Sequence, residues 1–319
     1  MISVRDLNVV FRRDGQSIRA VNGVSFEHPA GSVLGVLGES GSGKSVTLRA
    51  LLRILPQHRS TVTGSIHVDG KDVMALKGAE LDRYRGGVVS MIFQEPMLAF
   101  DPVFTIGEQI AEAVTRHTGA EPPAAMAQAL NMLERVRIPS AKRRLEAYPH
   151  EMSGGMRQRA MIALALACRP KVLLADEPTT ALDATVQIQI LLLLRELQKE
   201  FGMSVIFVTH DVGVAVEVAD RVAVMYAGRL VELGSVPQVI RTPRHPYTQG
   251  LLSSIVRGEM KGKRIEAIPG SPPDLAALPG GCSFAPRCRH AHDACRAAVP
   301  ELRDAAGHAA RCILPAVAT

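Results

Sequence analysis

Two periodicities of apolar positions run along this chain. In its first three quarters, short apolar runs bounded by glycine, proline or charge are typical of buried strands, and helical periodicity fills the intervals, as in 45–55 and 185–200. The strand-like runs are 33–38, 88–93, 172–176, 204–210 and 221–228. This succession predicts an α/β domain with a mainly parallel sheet. Shorter, turn-punctuated runs before residue 70 predict a subdomain of antiparallel strands beside that sheet.

The pattern changes at two places. From about residue 100 to 165 it is helical, which predicts an inserted α-helical subdomain. After about residue 240, proline, glycine, arginine and histidine become frequent, which is typical of an irregular appendage. We therefore expect one domain at 1–240 and a C-terminal extension at 241–319. The extension is too small to fold on an apolar core of its own.

The net charge is concentrated in one segment. The 319 residues contain 37 Lys and Arg against 31 Asp and Glu, a net charge of +6. Segment 241–264 holds six basic side chains and one acidic side chain, and so carries five of those six charges. A local basic linker favours a partner subunit or an anionic inner membrane surface over nucleic acid. No membrane-span-length apolar run and no secretory signal is evident, so we expect the chain to stay in the cytosol.

The most specific motif is GESGSGKS at 38–45, which fills every fixed position of G-x-x-x-x-G-K-[ST]. Its glycines let the backbone curl so that successive N–H groups face phosphate oxygens. Lys44 can reach the β- and γ-phosphates, and the Ser45 hydroxyl can bind Mg²⁺. The alternative is a glycine-rich turn that happens to precede a helix. A strand-like run before the motif and a helix-like run after it favour the phosphate loop.

A second candidate site is VLLADEP at 172–178, where an apolar strand ends in two carboxylates. Asp176 at the strand tip suits coordination of Mg²⁺, and Glu177 suits polarisation of an attacking water. An acidic pair at a strand end can also be a solvated turn or a helix cap. Because this pair follows a phosphate loop, we interpret it as part of the chemistry.

A third motif, MSGGM at 152–156, resembles the signature loop of the ATP-binding-cassette (ABC) family of P-loop NTPases. The resemblance covers about residues 1–240. It implies that the serine and the two glycines, at a helix N-terminus, contact the γ-phosphate of ATP held by the opposite subunit. Met152 and Met156 stand where the family more commonly has Leu and Gln, which leaves the backbone donors in place. The loop residues concerned are Ser153, Gly154 and Gly155.

The same resemblance implies roles for further residues. Gln94 matches the Q-loop glutamine, which senses Mg²⁺ and the γ-phosphate, and His210 matches the switch histidine. Residues 181–183, ending in Asp183, resemble the D-loop, and Phe11 stands where the family commonly stacks an aromatic ring on adenine. A histidine at a strand end is often structural, and a Phe in an edge strand often only packs.

The resemblance therefore implies an Mg²⁺-dependent ATPase that pairs head to tail with a second cassette, with two ATP molecules between them. The catalytic residues would be Glu177, His210 and Gln94, and the Mg²⁺ ligands would be Ser45, Gln94 and Asp176. The ATP-binding residues would be Phe11, Gly38, Ser40, Gly41, Ser42, Gly43, Lys44, Ser45, Val46, Ser153, Gly154, Gly155 and Asp183.

The extension begins with RHPYTQGLLSSI at 244–255, which resembles the segment after the cassette in ATPase subunits of dipeptide, oligopeptide and nickel importers. A proline-initiated turn into an amphipathic helix is the plain alternative. The resemblance implies import of peptides, or of nickel or another small solute, at the cytoplasmic face of the inner membrane. The implied partners are a second cassette, two permease subunits and an extracytoplasmic solute-binding protein.

Two other functions stay open at this point. A soluble ABC ATPase acting on nucleic acid or ribosomes usually has two fused cassettes or long insertions, whereas this chain has one uninterrupted cassette. An exporter ATPase is disfavoured by the HPYT segment. For a permease, the segment after Gln94 offers an apolar set that could receive a short helix or could pack a hinge. That set is Pro96, Met97, Phe100 and Pro102.

Four cysteines in the extension are spaced C-x5-C-x6-C-x16-C: Cys282, Cys288, Cys295 and Cys312. Four thiolates can hold a [4Fe–4S] cluster or a tetrahedral zinc ion. The loose spacing favours the larger cluster, and similar tails in the resembled group imply the same. Zinc and unliganded packing thiols are the alternatives. Nearby arginines, Arg287 among them, would offset the charge of a bound cluster.

Overall fold

The computed structural model describes residues 1–13, 15–179, 183–254 and 268–314. Its strands are β1 (Ile2–Arg13), β2 (Gln16–His28), β3 (Val33–Leu37), β4 (Ser60–Val68), β5 (Lys71–Asp72), β6 (Val89–Ile92), β7 (Val172–Asp176), β8 (Ser204–Thr209), β9 (Arg221–Tyr226), β10 (Arg229–Ser235), β11 (Arg303–Ala305) and β12 (His308–Ala310).

The helices are α1 (Lys44–Leu51), α2 (Gly78–Tyr84), α3 (Ile106–Thr118), α4 (Pro122–Arg135), α5 (Ala141–Arg144), α6 (Gly154–Leu166), α7 (Ala184–Phe201), α8 (Val212–Val218), α9 (Val236–Arg241), α10 (Pro246–Ser253) and α11 (Asp293–Ala297). Among the described residues, no helix is both long enough and apolar enough to cross a membrane.

The chain forms two compact units. One comprises Met1–His28, Val33–Met74 and Thr209–Thr319, and the other comprises Pro29–Ser32 and Ala75–Val208. We call the first the loop unit, because it contains the phosphate loop, and the second the helical unit. The C-terminal extension therefore belongs to the same unit as the phosphate loop.

The loop unit contains the predicted antiparallel strands. They form a sheet in the order β2-β1-β4-β5, and β1 pairs antiparallel with both β2 and β4. Side chains on its inner face, such as Ile2, Val4 and Leu7, are at most 1% exposed. Burial of one apolar face holds this sheet in register.

The second sheet of the loop unit runs in the order β11-β12-β10-β9-β3. Strands β3 and β9 are parallel, whereas β9 and β10 form a tight antiparallel hairpin around Ala227 and Gly228, both with positive φ. The extension supplies β11 and β12, and β12 pairs with β10. The extension is thus less irregular than its composition predicts, because two of its strands lengthen a sheet of the cassette.

The helical unit contains the parallel strands β8-β7-β6 with α2 to α7. Every residue of β7 and β8 is buried, which explains their continuous apolar sequences. Helices α3 to α6 occupy the stretch for which the sequence predicts a helical subdomain. Thr105 starts α3 with a capping box, in which its side chain and that of Glu108 bond each other's backbone N–H.

Candidate nucleotide-binding site

The phosphate loop joins the end of β3 to the start of α1 within the loop unit. Gly38 and Gly43 have φ values of 152° and 97°. A Cβ atom at Gly38 would lie 2.2 Å from the Met225 carbonyl oxygen, and one at Gly43 would lie 2.3 Å from the Ala20 carbonyl oxygen. Both positions require glycine, because the strands behind the loop leave no room for a side chain.

Lys44 is held inside this loop. Its side chain is buried, and its Nζ donates to the carbonyl oxygens of Gly38 at 2.8 Å and of Glu39 at 2.9 Å. Gly43 precedes the helix, and no side chain caps α1. The positive end of the helix dipole and a buried ammonium group therefore meet in one loop, which is an arrangement that binds phosphate.

The acidic strand end lies in the helical unit. Asp176, the last residue of β7, is 1% exposed. Glu177 has a left-handed backbone with φ of 46°, and its N–H donates to the Val208 carbonyl oxygen at 3.1 Å. Gln94 Nε2 lies 3.4 Å from Glu177 Oε2. The structure thus brings the predicted Q-loop glutamine and the predicted catalytic carboxylate together, and a strained backbone at the carboxylate is typical of functional sites.

The signature loop is an exposed helix start in the same unit. Ser153 caps α6, and its hydroxyl accepts the Met156 N–H at 3.3 Å. Ser153 and Gly154 are exposed, as contact with a facing subunit would require, and Gly155 lies against Val186. The replacement of the common glutamine by Met156 leaves the capped helix start intact.

The sequence alone indicated no role for Gln158. This side chain is 2% exposed, and its Nε2 donates to the carbonyl oxygen of Pro178, the residue directly after Glu177. Gln158 thereby ties the signature helix α6 to the end of the acidic strand. The available signal was a polar residue among the otherwise apolar buried positions of α6.

The remaining predicted nucleotide contacts are placed as follows. Asp183 caps α7 by accepting the Val186 N–H at 2.9 Å, whereas Ala181 and Leu182 lie outside the described residues. His210 is exposed directly after β8. Phe11 is half-buried in β1, opposite Ile18 and Ser60. Its contact with adenine stays a prediction.

The predicted site residues divide between the two units. The loop unit contains Phe11, the phosphate loop and His210. The helical unit contains Gln94, the signature loop, Asp176, Glu177 and Asp183. Each predicted Mg²⁺ ligand carries an oxygen of the kind that Mg²⁺ binds: a hydroxyl in Ser45, an amide in Gln94 and a carboxylate in Asp176.

The apolar set after Gln94 is only partly exposed, which corrects the prediction for Phe100. Phe100 is buried at 5% exposure and packs inside the helical unit. Met97 is 43% exposed as predicted, and Val103 and Phe104, which the sequence did not single out, are 69% and 52% exposed. The exposed apolar surface is therefore displaced along the chain toward the start of α3.

The extension contacts the phosphate loop directly. His245 caps α10 through Nδ1, which accepts the Tyr247 N–H at 3.0 Å, and Pro246 occupies the first helical position. Tyr247 is fully buried, and its hydroxyl accepts the Glu39 N–H at 2.8 Å. Burial lowers the pKa of His245 to about 3 and raises that of Tyr247. The HPYT segment thus anchors the second residue of the phosphate-loop motif.

Arg287 makes a second contact with the same residue. Its guanidinium forms a two-bond ion pair with the Glu39 carboxylate, and these hydrogen bonds raise the pKa of Arg287. The sequence interpretation gave Arg287 the role of offsetting the charge of a bound cluster, whereas the structure pairs it with Glu39.

The four cysteines of the extension lie in one neighbourhood. The Cys282 N–H donates to the Cys295 carbonyl oxygen at 2.8 Å. Burial chiefly raises the pKa of Cys282, Cys288 and Cys312, and the neighbouring thiols raise it further. Within the part of the chain that the structure describes, no three His, Cys, Asp or Glu side chains are arranged to hold a single metal ion. The iron–sulfur cluster and zinc are therefore not confirmed.

The basic linker falls largely outside the described residues. Arg241 and Arg244 are described, whereas Arg257, Lys261, Lys263 and Arg264 are not.

Comparison with protein families identifies two regions of the chain. Residues 21–180 match the family described as "ABC transporter". Residues 231–295 match "Oligopeptide/dipeptide transporter, C-terminal region". The second match includes the HPYT segment and three of the four clustered cysteines.

Similarity to individual proteins extends over nearly the whole chain. A Brucella melitensis protein, provisionally named a peptide import ATP-binding protein, is 49% identical over 98% of this chain and 96% of its own length. The oligopeptide transport ATP-binding protein OppD of Haemophilus influenzae is 48% identical over 93% of this chain and 92% of its own length.

A solved structure shares the fold. The cassette MJ0796, in a dimeric post-hydrolysis state bound to ADP and Pi, superposes with a TM-score of 0.66 at 28% identity, covering 74% of this chain and 99% of that one. The phosphate loop, the acidic strand end and the signature helix described above all lie within residues 21–180, the range that matches the ABC transporter family. The chain therefore belongs to the ABC transporter family and is an ATPase of that family with an oligopeptide/dipeptide-transporter C-terminal region.

Proposed function

We propose that this ATPase powers the import of di- or oligopeptides by pairing with a second cassette when ATP binds and separating from it after hydrolysis. The observation that carries the proposal is near-full-length similarity to OppD, an oligopeptide transport ATP-binding protein. The structure of the site supports the ATPase cycle, whereas the solute follows from the relatives. Nickel or another small solute is the alternative substrate.

The proposed chemistry uses residues whose placement suits each role. Lys44 and the N-terminus of α1 bind the phosphates, and Glu177 polarises the attacking water while Gln94 orients its carboxylate. Bound Mg²⁺ would supply charge neutralisation at the phosphates, with Ser45, Gln94 and Asp176 as its oxygen ligands. Ser153 and Gly154 present an exposed helix N-terminus to the ATP of the facing cassette.

The proposed partners are a second, different cassette, two permease subunits and an extracytoplasmic solute-binding protein, with the chain bound peripherally at the cytoplasmic face of the inner membrane. The exposed side chains of Met97, Val103 and Phe104 would receive a permease helix. They follow Gln94 closely in the chain. A helix docked on them would therefore contact the segment that carries Gln94, whose side chain bonds Glu177.

The test of this function is peptide uptake by the reconstituted transporter. Glu177→Gln is expected to abolish steady-state ATP hydrolysis and peptide uptake while ATP binding is retained, because the amide cannot polarise the water. Phe104→Ser tests the proposed docking surface. It should reduce peptide uptake without reducing ATP binding to the isolated chain. Uptake of nickel but of no peptide would overturn the proposed solute, and undiminished hydrolysis by the Glu177→Gln complex would overturn the role of Glu177.

We also propose that Cys282, Cys288, Cys295 and Cys312 hold a [4Fe–4S] cluster that ties the loops of the extension together. The four cysteines supply the number of thiolates that such a cluster requires, while the described side chains are not arranged to hold a single metal ion. Iron and sulfide assays with visible absorption on anaerobically prepared protein provide the test. Cys288→Ser should lose the absorption, and Cys168→Ser, the control outside the extension, should keep it. Colourless, iron-free wild-type protein would overturn the cluster, and stoichiometric zinc would replace it.

A further inference from the structure

Glu39, the second residue of the phosphate-loop motif, is held from two sides by the extension. Tyr247 Oη accepts its N–H at 2.8 Å. Arg287 Nη1 and Nη2 donate to its two carboxylate oxygens at 2.8 and 3.1 Å. All three residues lie within the loop unit. The Arg287 side chain is only 6% exposed and that of Glu39 is 27% exposed, so this ion pair is largely withdrawn from water.

Arg287 is itself fixed in place. Its Nε donates to the Pro269 carbonyl oxygen at 2.8 Å, and its Nη1 also donates to Tyr226 Oη at 3.2 Å. Its guanidinium lies 5.8 Å from the centroid of the Tyr226 ring. Because these partners already hold the planar guanidinium, it loses little conformational freedom when it binds a carboxylate. The ammonium group of lysine cannot make the same pair of parallel hydrogen bonds.

The position of Glu39 makes this contact consequential for nucleotide binding. A carboxylate beside a loop that accepts a polyphosphate opposes the ligand's negative charge unless a cation compensates it. The Glu39 carbonyl oxygen also accepts a hydrogen bond from Lys44 Nζ, at 2.9 Å. The orientation of Glu39 therefore affects both the charge at the loop and the position of the phosphate-binding ammonium group.

We propose that Arg287 is a positioning residue of the ATP site, which neutralises and orients Glu39 so that the phosphate loop binds ATP. The extension thereby contributes to nucleotide affinity through a residue outside the phosphate-loop motif. The proposal depends on ATP binding by this chain and not on the nature of the transported solute.

The test measures binding of a fluorescent ATP analogue, mant-ATP with Mg²⁺, to the purified full-length chain. Arg287→Met is expected to raise the Kd about tenfold, because it leaves Glu39 uncompensated beside the loop. Adding Glu39→Gln to that variant should restore the Kd to within about twofold of the wild type. If Arg287 only stabilised the fold, removing the Glu39 charge as well would not restore the Kd.

The control is Arg296→Met, which removes an exposed arginine of the same extension that pairs with Asp293 and should leave the Kd unchanged. An Arg287→Met Kd within about twofold of the wild type, or a double variant as weak as Arg287→Met, would overturn the proposal. If Arg287→Met does not fold, the single variants Arg287→Lys and Glu39→Gln are measured in its place. Arg287→Lys should then weaken binding about threefold and Glu39→Gln should not weaken it, and any other result overturns the proposal.

Discussion

Glu232 is a buried carboxylate whose removal should weaken the attachment of the extension to the sheet of the loop unit. It lies in β10 and is 0% exposed. It accepts the N–H of Arg244 at 2.8 Å and that of His245 at 2.9 Å, and its Oε1 lies 2.7 Å from His308 Nε2 in β12. One side chain therefore joins a strand of the cassette to the segment before α10 and to the last strand of the extension.

Glu232→Ala leaves these donors without an acceptor. A hydrogen bond to a charged group contributes about 1.5–3 kcal/mol, and a buried unsatisfied donor costs about 1–3 kcal/mol. With two buried donors, His245 N–H and His308, and the half-buried Arg244 N–H, we expect a loss of about 3–6 kcal/mol in the free energy of unfolding. Glu232→Gln keeps one acceptor oxygen and should lose about half as much.

Urea titration followed by far-UV circular dichroism provides the measurement for Glu232. Glu301→Ala, which removes an exposed carboxylate of the same extension, is the control and should change the free energy by less than about 0.5 kcal/mol. A Glu232→Ala protein within about 1 kcal/mol of the wild type would refute the reasoning, because three lost hydrogen bonds cannot be so weak in a buried site.

Two further predictions follow from buried polar groups. Gln158→Leu removes the hydrogen bond between α6 and the carbonyl oxygen of Pro178, the residue after Glu177. Steady-state ATP hydrolysis by the assembled transporter should therefore fall several-fold, while the affinity for mant-ATP stays unchanged. Equal hydrolysis by the variant and the wild type would show that this hydrogen bond does not help to position Glu177. His245 has a pKa of about 3 in the folded chain, below its unfolded value, so its contribution to stability is full above pH 6.5 and is lost as the pH falls from 6.5 toward 3. Near pH 5, the free energy of unfolding should decrease by about 1.4 kcal/mol for each unit by which the pH falls. His245→Asn should make this pH dependence weaker.

The sequence predicted those parts of the fold that local physics determines. Continuous apolar runs predicted the buried strands β3, β7 and β8, because a strand covered on both faces has no polar side. The phosphate loop was also predictable, because its motif is contiguous in the chain and because glycine at positions 38 and 43 permits the backbone found there, with φ of 152° and 97°.

The strands of the extension could not be predicted in this way. Strands β11 and β12 have three residues each, too few to show an alternating pattern. Their turn consists of Ala306 and Gly307, both with positive φ, where alanine gives no hairpin signal of the kind that asparagine or aspartate gives. The partnership of Arg287 with Glu39 spans 248 residues, and no local pattern indicates contacts at that range.

The placement of the extension changes how its function is best understood. Tyr226 of β9, Tyr247 of α10 and Phe284 near the cysteines form one buried aromatic cluster, with ring centroids 4.6 to 5.4 Å apart. Two of these three rings belong to the extension, and Tyr226 is only 1% exposed. A chain ending at residue 240 would expose that ring. It would also lose Tyr247 and Arg287, the two residues of the extension that hold Glu39, and all three hydrogen-bond partners of Glu232, namely Arg244, His245 and His308. The extension is therefore better described as part of the nucleotide-binding unit than as an appendage, and the cassette should not bind ATP normally without it.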